Sequence, residues 1–196
     1  MTKAKWIAAI TGALTVLAAP AAFAAEGLGN PNGGYGTAGL LIGAGTQDYK
    51  VFGIGARGGY TLANMPIYIG GTFMYNIGSD IVPGVNVHSF LIAVEAGYDF
   101  PVGPVVIRPY LGLGDTLISG SIATACVINP LTGQCIGGAS ASSTTSEFTL
   151  YPGATVMYPI QQFFVGGDVR IEWLPGVGPG GDNVGLGLYA TGGMQF

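Results

Sequence analysis

The chain has 196 residues, of which 8% are charged, 49% are hydrophobic and 36 are glycine. An ordinary soluble domain carries about 25% charged residues, so this composition argues against a soluble, charged surface. Beyond the N-terminus no apolar run reaches the ~18 residues that a membrane helix needs, which excludes a helical membrane bundle. The 10 tyrosines and 9 phenylalanines argue against disorder. The remaining class is an all-β protein that faces lipid.

Residues 1–24 have the order of a secretory signal peptide. Lys3 and Lys5 form a positive start, an apolar stretch follows, and an A-x-A cleavage site ends the segment. An uncleaved anchor helix is the alternative, but the apolar stretch is short for a span. We therefore expect cleavage after residue 24, with residues 25–196 forming one domain.

Cleavage leaves four of the six basic residues and all ten acidic ones, a net charge of −6. Four scattered cations on an acidic chain make no electrostatic footprint for nucleic acid, so we exclude that class of partner.

Eight segments of the mature chain alternate between apolar and polar residues, as half-buried β-strands do. They are 35–45, 50–62, 66–78, 86–100, 104–118, 145–158, 161–174 and 183–196. Such lengths exceed the five or six residues or so of a typical soluble strand and suit a tilted membrane crossing. Short, proline-marked connections alternate with longer ones, up to residues 119–144. The pattern predicts a transmembrane antiparallel up-and-down β-barrel of eight strands, with both ends on the short-turn rim.

The faces of the predicted strands support a lipid-facing barrel. On the fourth strand Phe90, Ile92 and Val94 share one face, whereas Glu95 and Asp99 share the other. Outward aromatic side chains gather near both strand ends, which is typical of membrane interfaces.

At this point the chain resembles the small outer-membrane β-barrel proteins of the OmpA-barrel and OmpX type. The resemblance rests on the signal peptide, the eight alternating strands, the short turns and a last strand that ends in phenylalanine. It implies a monomer in the outer membrane of a Gram-negative-type bacterium, with both termini periplasmic and membrane lipid around it. In that family the barrel-assembly machinery reads a terminal aromatic residue with apolar residues at alternate positions before it. The matching residues are Leu188, Ala190, Met194 and Phe196.

Inward parity places a group of charged side chains in the lumen. They are Arg57, Glu95, Asp99, Arg108, Glu147, Asp168, Arg170 and Glu172. The interior of an eight-stranded barrel is just wide enough for side chains, so these charges must lie close together. We expect Glu95 to face Arg108, and Glu147 to reach Arg170. A paired network that plugs the barrel and a narrow channel for small ions or solutes both remain open.

Two charged residues fall on the outward face by the same parity. Asp115 is expected either at the outer rim or at a bulge that the neighbouring glycines permit. Lys50 is expected to point outward, where it could meet lipid phosphates.

The two cysteines, Cys126 and Cys135, lie inside the longest connection, 119–144. The periplasm is oxidising and the residues between them favour a turn, so we expect one disulfide. Two thiols without a nearby His or acid make an incomplete metal site. Residues 137–145 are rich in Ala, Ser and Thr, and we expect them to be mobile. A loop pinned by a disulfide is where we expect any contact with a surface ligand.

Some barrels of this size modify lipid A with a His and a Ser near the rim. His88 is the only histidine, and its neighbour Ser89 points to the opposite face of a strand, so the two cannot form a nucleophile-base pair. We therefore predict no enzyme, no cofactor and no metal. The sequence favours a structural or surface-interaction scaffold with a plugged lumen, ahead of a narrow channel and a lipid A-modifying enzyme.

Overall fold

The computed structural model of the chain describes residues 28, 33–47, 50–78, 85–123, 127–128, 135–136, 140–175 and 183–196. The predicted signal peptide, residues 1–24, lies outside the described residues and stays a prediction. Within the described part, no helix is long and apolar enough to cross a membrane.

Most of the described residues form strands. The strands are β1 (Tyr35–Gly45), β2 (Phe52–Thr61), β3 (Ile67–Ile77), β4 (Val85–Tyr98), β5 (Phe100–Val102), β6 (Val105–Ala123), β7 (Val127–Ile128), β8 (Cys135–Ile136), β9 (Ser140–Ile160), β10 (Phe163–Trp173) and β11 (Val184–Gln195). The predicted all-β fold is confirmed.

Antiparallel pairing closes the sheet into a barrel. Its order is β4-β3-β2-β1-β11-β10-β9-β6-β5, and a further pairing of β4 with β6 joins the two ends. β5 continues β4, because Gly97 pairs with Tyr110 and Phe100 with Ile107 in one unbroken register against β6. The barrel therefore has eight strands, as predicted.

Three tight connections lie on one rim of the barrel. Each contains a residue in the left-handed region: Asn64 (φ 60°), Gly103 (φ 60°) and Gln161 (φ 57°). Hairpin turns of the type I′ and G1-bulge classes place such a residue where the chain reverses, and Asn and Gly adopt this conformation at low cost. The two ends of the barrel chain meet on the same rim, where Gly36 N donates to Phe196 O at 2.6 Å.

The outer surface carries the apolar face of the strands. Leu40, Val94 and Phe196 are 64%, 66% and 79% exposed, whereas the alternate positions are buried inside the barrel. In a soluble protein such a surface would be unfavourable, but lipid replaces water around a membrane barrel. Alternation thus separates a lipid-facing surface from a filled lumen.

Two strands extend beyond their predicted ends. β6 continues to Ala123 and β9 begins at Ser140, so much of the predicted 119–144 loop is paired sheet. The expectation that residues 137–145 form a mobile tail is wrong for 140–145. Ser and Thr side chains stabilise such pairs by hydrogen bonding across strands, as the hydroxyls of Ser119 and Thr144 do at 3.0 Å.

Candidate functional site

Three groups of charged side chains fill the lumen, and we call them the lower, middle and upper layers. The lower layer, nearest the short turns, is Asp99 and Arg108. The middle layer is Arg57, Glu95 and Asp168, and the upper layer is Lys50, Arg170 and Glu172. All eight side chains are buried, with at most 9% of each residue exposed. The four cations and four carboxylates balance, which is what desolvated charges require.

Arg57 ties the middle layer together. Its Nε lies 2.9 Å from Glu95 Oε2, and its Nη1 lies 2.7 Å from Asp168 Oδ2. The same guanidinium donates to the hydroxyls of Thr72 at 3.1 Å and Thr155 at 2.8 Å. One side chain on β2 thereby links β3, β4, β9 and β10 across the barrel.

Tyrosines complete the middle layer. Tyr151 Oη donates to Glu95 Oε1 at 2.9 Å, and Tyr110 Oη lies 3.0 Å from both carboxylate oxygens of Asp168. The Tyr110 ring also lies under the Arg57 guanidinium, 4.5 Å from Cζ to the ring centroid. These contacts stabilise the buried charges in a space without bulk water.

The lower layer is an ion pair inside a ring of polar groups. Arg108 binds Asp99 with two nitrogens, Nε to Oδ1 at 2.6 Å and Nη2 to Oδ2 at 2.9 Å. Asp99 also accepts hydrogen bonds from Tyr35 and Thr61. The Arg108 guanidinium stacks on Tyr68, with Cζ 3.7 Å from the ring centroid. The pair is bidentate and fully desolvated, the geometry in which such pairs are strongest.

In the upper layer one carboxylate serves two cations. Glu172 lies 2.8 Å from Arg170 Nε and pairs with Lys50 on its other oxygen. The Arg170 guanidinium lies between two rings, 4.3 Å from the centroid of Tyr189 and 5.1 Å from that of Tyr151.

Lys50 corrects the sequence analysis, which placed it outward. β2 begins only at Phe52, so strand parity does not apply to residue 50. The β1–β2 connection bends back instead, with Gly45 N donating to Lys50 O, and the side chain enters the lumen, where it is 1% exposed.

Two of the expected ion pairs are also different. The register sets Glu95 opposite Gly112, so Arg108 pairs with Asp99 and Glu95 pairs with Arg57. Glu147 does not reach Arg170 among the described contacts. Glu147 is half-buried and pairs with Thr116 on β6, whereas Arg170 is level with Gly153, which lies nearer the short turns along β9. Glu147 therefore lies above the three layers.

Buried side chains lie at both rims of the lumen. On the short-turn rim Leu28 packs with Tyr35, Val106, Met157 and Phe164, and its N–H donates to Gln195 Oε1 at 2.8 Å.

On the opposite rim Gln47 and Leu174 are 2% and 0% exposed.

A cavity of about 10 Å³ lies between the lower and middle layers, beside Arg57 and Arg108. That volume holds about one water molecule.

The residues considered for catalysis lie apart. Ser89 is fully buried and its Oγ accepts from Asn76 Nδ2 at 3.3 Å. His88 lies on the outer face, with its ring centroid 6.1 Å from that of Tyr75 and 6.0 Å from that of Phe90. Across the strand pair it faces Ser119. Among the described side chains no group of three or more His, Cys, Asp or Glu is placed to bind a metal.

The remaining expected site residues are the two cysteines and the four residues of the assembly signal. Cys126 lies outside the described residues, and Cys135 pairs with Ile128 through the backbone in the short β7–β8 hairpin. The expected disulfide therefore stays a prediction. The four residues matched to the assembly signal share the lipid-facing side of the last strand and its end: Leu188, Ala190, Met194 and Phe196.

The uncharged members of the network were not among the site residues predicted from the sequence. Thr72, Thr155, Tyr110 and Tyr151 contact the charges directly. Their inward parity was a usable signal, because a buried hydroxyl needs a hydrogen-bonding partner.

Comparisons with known proteins agree with this architecture. The family model described as outer membrane protein beta-barrel domain matches residues 9–191. A major outer membrane protein from Thermus thermophilus superposes with a TM-score of 0.66 at 12% identity, covering 84% of this chain and 100% of that chain. Neisserial surface protein A (NspA) superposes with a TM-score of 0.54 at 19% identity, covering 83% of this chain and 97% of that chain. At such identities the structural likeness concerns the fold alone. No curated protein sequence matches the chain.

The match to the family model spans most of the chain, and the described strands close into the barrel that the family name denotes. The chain therefore belongs to the outer membrane protein beta-barrel domain family and is an outer-membrane protein.

Proposed function

We propose that this protein is a plugged outer-membrane scaffold, neither a channel nor an enzyme, that presents a sheet above the outer surface of the membrane. The observation that carries the proposal is the balanced set of eight buried charges, which fills the lumen at three levels. The space beside Arg57 and Arg108, about 10 Å³, accommodates about one water rather than a file of hydrated ions.

The long strands supply the presented surface. From its pair with Phe163 at Ile160 to its pair with Trp173 at Leu150, β9 rises ten residues along β10. At ~3.3 Å per residue and a tilt of ~40° this is about 25 Å, the height of the apolar band of such barrels. Residues 140–149 of β9 therefore lie outside the apolar band, together with the ends of β4 and β6 on the same rim.

The orientation of the barrel follows from the difference between its two rims. Outer-membrane barrels carry short turns on the periplasmic side and long loops on the outer side. The tight turns and both ends of the barrel chain share one rim, so we place the termini in the periplasm. The exposed apolar residues of β11 and Phe196 then lie where the barrel-assembly machinery would read them.

A non-catalytic role is supported by the surroundings of His88. A general base must lie within hydrogen-bonding reach of its nucleophile. Ser89 is inside the barrel, and the hydroxyl of Ser119, opposite His88, is hydrogen-bonded to Thr144.

Single-channel recording tests the plug. Residues 25–196 are refolded, a heat-shifted gel mobility confirms the folded barrel, and the protein is inserted in a planar bilayer. We expect no discrete conductance steps. The double variant Arg57→Ala, Arg108→Ala, which removes the cations on both sides of the cavity, is the matched control and should conduct if it folds. Reproducible steps from the unaltered protein would refute the plug and favour a narrow channel.

A further inference from the structure

The end of the lumen nearest the short turns is apolar, in contrast to the charged layers above it. Four inward side chains from four strands form this end, and we call them the socket: Tyr35 on β1, Val106 on β6, Met157 on β9 and Phe164 on β10. Each of them is at most 4% exposed. The socket therefore lies between the lower layer and the water at the short-turn rim.

Leu28 fills the socket, although it precedes the first strand of the barrel. Its side chain packs with the four socket residues and leaves the residue 6% exposed. Its N–H donates to Gln195 Oε1 at 2.8 Å, and the amide nitrogen of Gln195 donates in turn to Gln161 O in the turn between β9 and β10. Apolar packing and a buried hydrogen bond thus hold residue 28 at one place in the mouth of the lumen.

The position of Leu28 differs from that of other apolar side chains on the same rim. Met65 and Val102, in two of the tight connections, are 50% and 52% exposed. The rim therefore offers an apolar side chain a place outside the lumen, and Leu28 instead lies inside it.

The luminal cavity lies directly above the socket. Its lining includes Met157 and Phe164 of the socket together with the guanidinium-bearing Arg57 and Arg108. The Phe164 ring reaches as far as β1, where a Cβ on Gly39 would lie 2.9 Å from Phe164 Cζ. The socket thus forms the floor of the cavity, and water that passed it would reach both arginines.

The socket exists only in the closed barrel. Its side chains come from β1, β6, β9 and β10, and Gln195, the partner of the Leu28 N–H, is on the last strand. β1 and β11 become neighbours only when the sheet closes on itself. Leu28 can therefore enter the socket only after the last strand is in place.

We propose that Leu28 is a stopper: its side chain seals the lumen against water at the short-turn rim, and the socket is a binding site for one apolar side chain of that size. This inference deepens the plugged lumen proposed above and rests on it. The charged layers block the passage of ions, and the stopper keeps water away from those layers. Ion pairs are stronger in an interior without bulk water, so the stopper supports the network that it covers.

Thiol reactivity above the stopper tests the proposal. Thr37 lines the cavity and is 5% exposed, so Thr37→Cys places a thiol of similar size just above Leu28. The protein is residues 25–196 with both native cysteines changed to serine, folded in detergent. The probe is iodoacetamide, which is small, neutral and polar, and a heat-shifted gel mobility confirms that each variant is folded.

Two further thiols serve as references. Met65→Cys places a thiol on the exposed side of the same rim, and Thr116→Cys places one high in the lumen, where residue 116 is fully buried. With Leu28 intact, we expect Thr37→Cys to react at least tenfold more slowly than Met65→Cys. A similar rate at these two positions would show that the mouth is open and would overturn the stopper.

Leu28→Ala should raise the rate at Thr37→Cys at least tenfold and leave the rate at Thr116→Cys unchanged. Leu28→Met, an apolar side chain of similar volume, should keep Thr37→Cys slow. An unchanged rate at Thr37→Cys in Leu28→Ala would overturn the seal. An equal rise at Thr116→Cys would reduce Leu28 to a packing residue whose loss loosens the whole barrel, and this would also overturn the proposal.

A smaller truncation keeps the test valid if Leu28→Ala does not fold. Leu28→Val should then raise the rate at Thr37→Cys by a smaller factor and again spare Thr116→Cys, and equal rates with Leu28 and Val at this position would contradict the stopper. The outcome is separable from that of the plug. Conductance steps from the unaltered protein would refute the plugged lumen, whereas a fast thiol at residue 37 in a protein that does not conduct would refute the stopper alone.

Discussion

Arg57→Ala is the change that most directly tests the luminal network. Arg57 is the only cation within reach of both Glu95 and Asp168 among the described contacts of the middle layer. Its removal leaves two buried carboxylates without a counter-charge. We therefore expect a large loss of stability with no change in the lipid-facing surface.

The magnitude follows from the contacts that remain. Removing one partner of a buried ion pair costs about 3–5 kcal/mol. Here two carboxylates lose their partner, but each keeps two hydroxyl donors. Glu95 keeps Thr72 at 2.7 Å and Tyr151 at 2.9 Å. We therefore expect a decrease of about 3–5 kcal/mol in the free energy of unfolding rather than twice that value.

Urea unfolding in lipid vesicles measures the loss. Trp173 is the only tryptophan after the predicted cleavage site and is 43% exposed on the lipid face, so its fluorescence reports insertion. Arg57→Lys is the matched control, because it keeps the charge but not the several donors of the guanidinium. It should lower the free energy of unfolding less than Arg57→Ala does. Adding Glu95→Gln and Asp168→Asn to Arg57→Ala should recover much of the loss. A decrease below about 1 kcal/mol would show that luminal water screens these charges and would refute a desolvated ion-pair network.

Three other changes give independent checks. Gly112→Ala places a methyl group against the Tyr151 ring and should cost about 1–3 kcal/mol in urea unfolding, whereas Gly120→Ala, with open space around it, should cost nothing measurable. Lys50→Met should lower stability by about 1.5–3 kcal/mol, because its carboxylate partner keeps one other cation; an unchanged midpoint would mean that the residue lies outside the lumen. Cys126→Ser should leave the barrel folded and make the surrounding loop more protease-sensitive, and equal cleavage of the unaltered protein with and without reductant would rule out the disulfide.

The barrel itself could be predicted because strand parity is a local property. Each side chain points to the side opposite its neighbours, so a run such as Phe90, Ile92 and Val94 identifies one face without any knowledge of the partner strand. The short turns and the lipid-facing last strand are local in the same way. Seven of the eight predicted luminal charges are buried inside the barrel for this reason, and Glu147 is half-buried above them.

The pairing inside the lumen could not be predicted from parity. Which carboxylate meets Arg108 depends on the register of β4 against β6, and a shift of four residues exchanges Glu95 for Asp99. The ends of strands could not be predicted either where the sequence is rich in Ser and Thr, because these residues occur both in loops and in cross-strand pairs. The length of β9 appears only once β6 is beside it.

The sequence alone therefore determined the class of this protein, its eight strands and which residues face lipid, since composition and alternation act residue by residue. Tertiary structure decided everything that requires two strands to be side by side. It brought Lys50 into the lumen through a bend in a loop, and joined Arg57 to carboxylates on β4 and β10. Charges buried in a narrow interior must find partners, and closure of the barrel alone sets which partners are within reach.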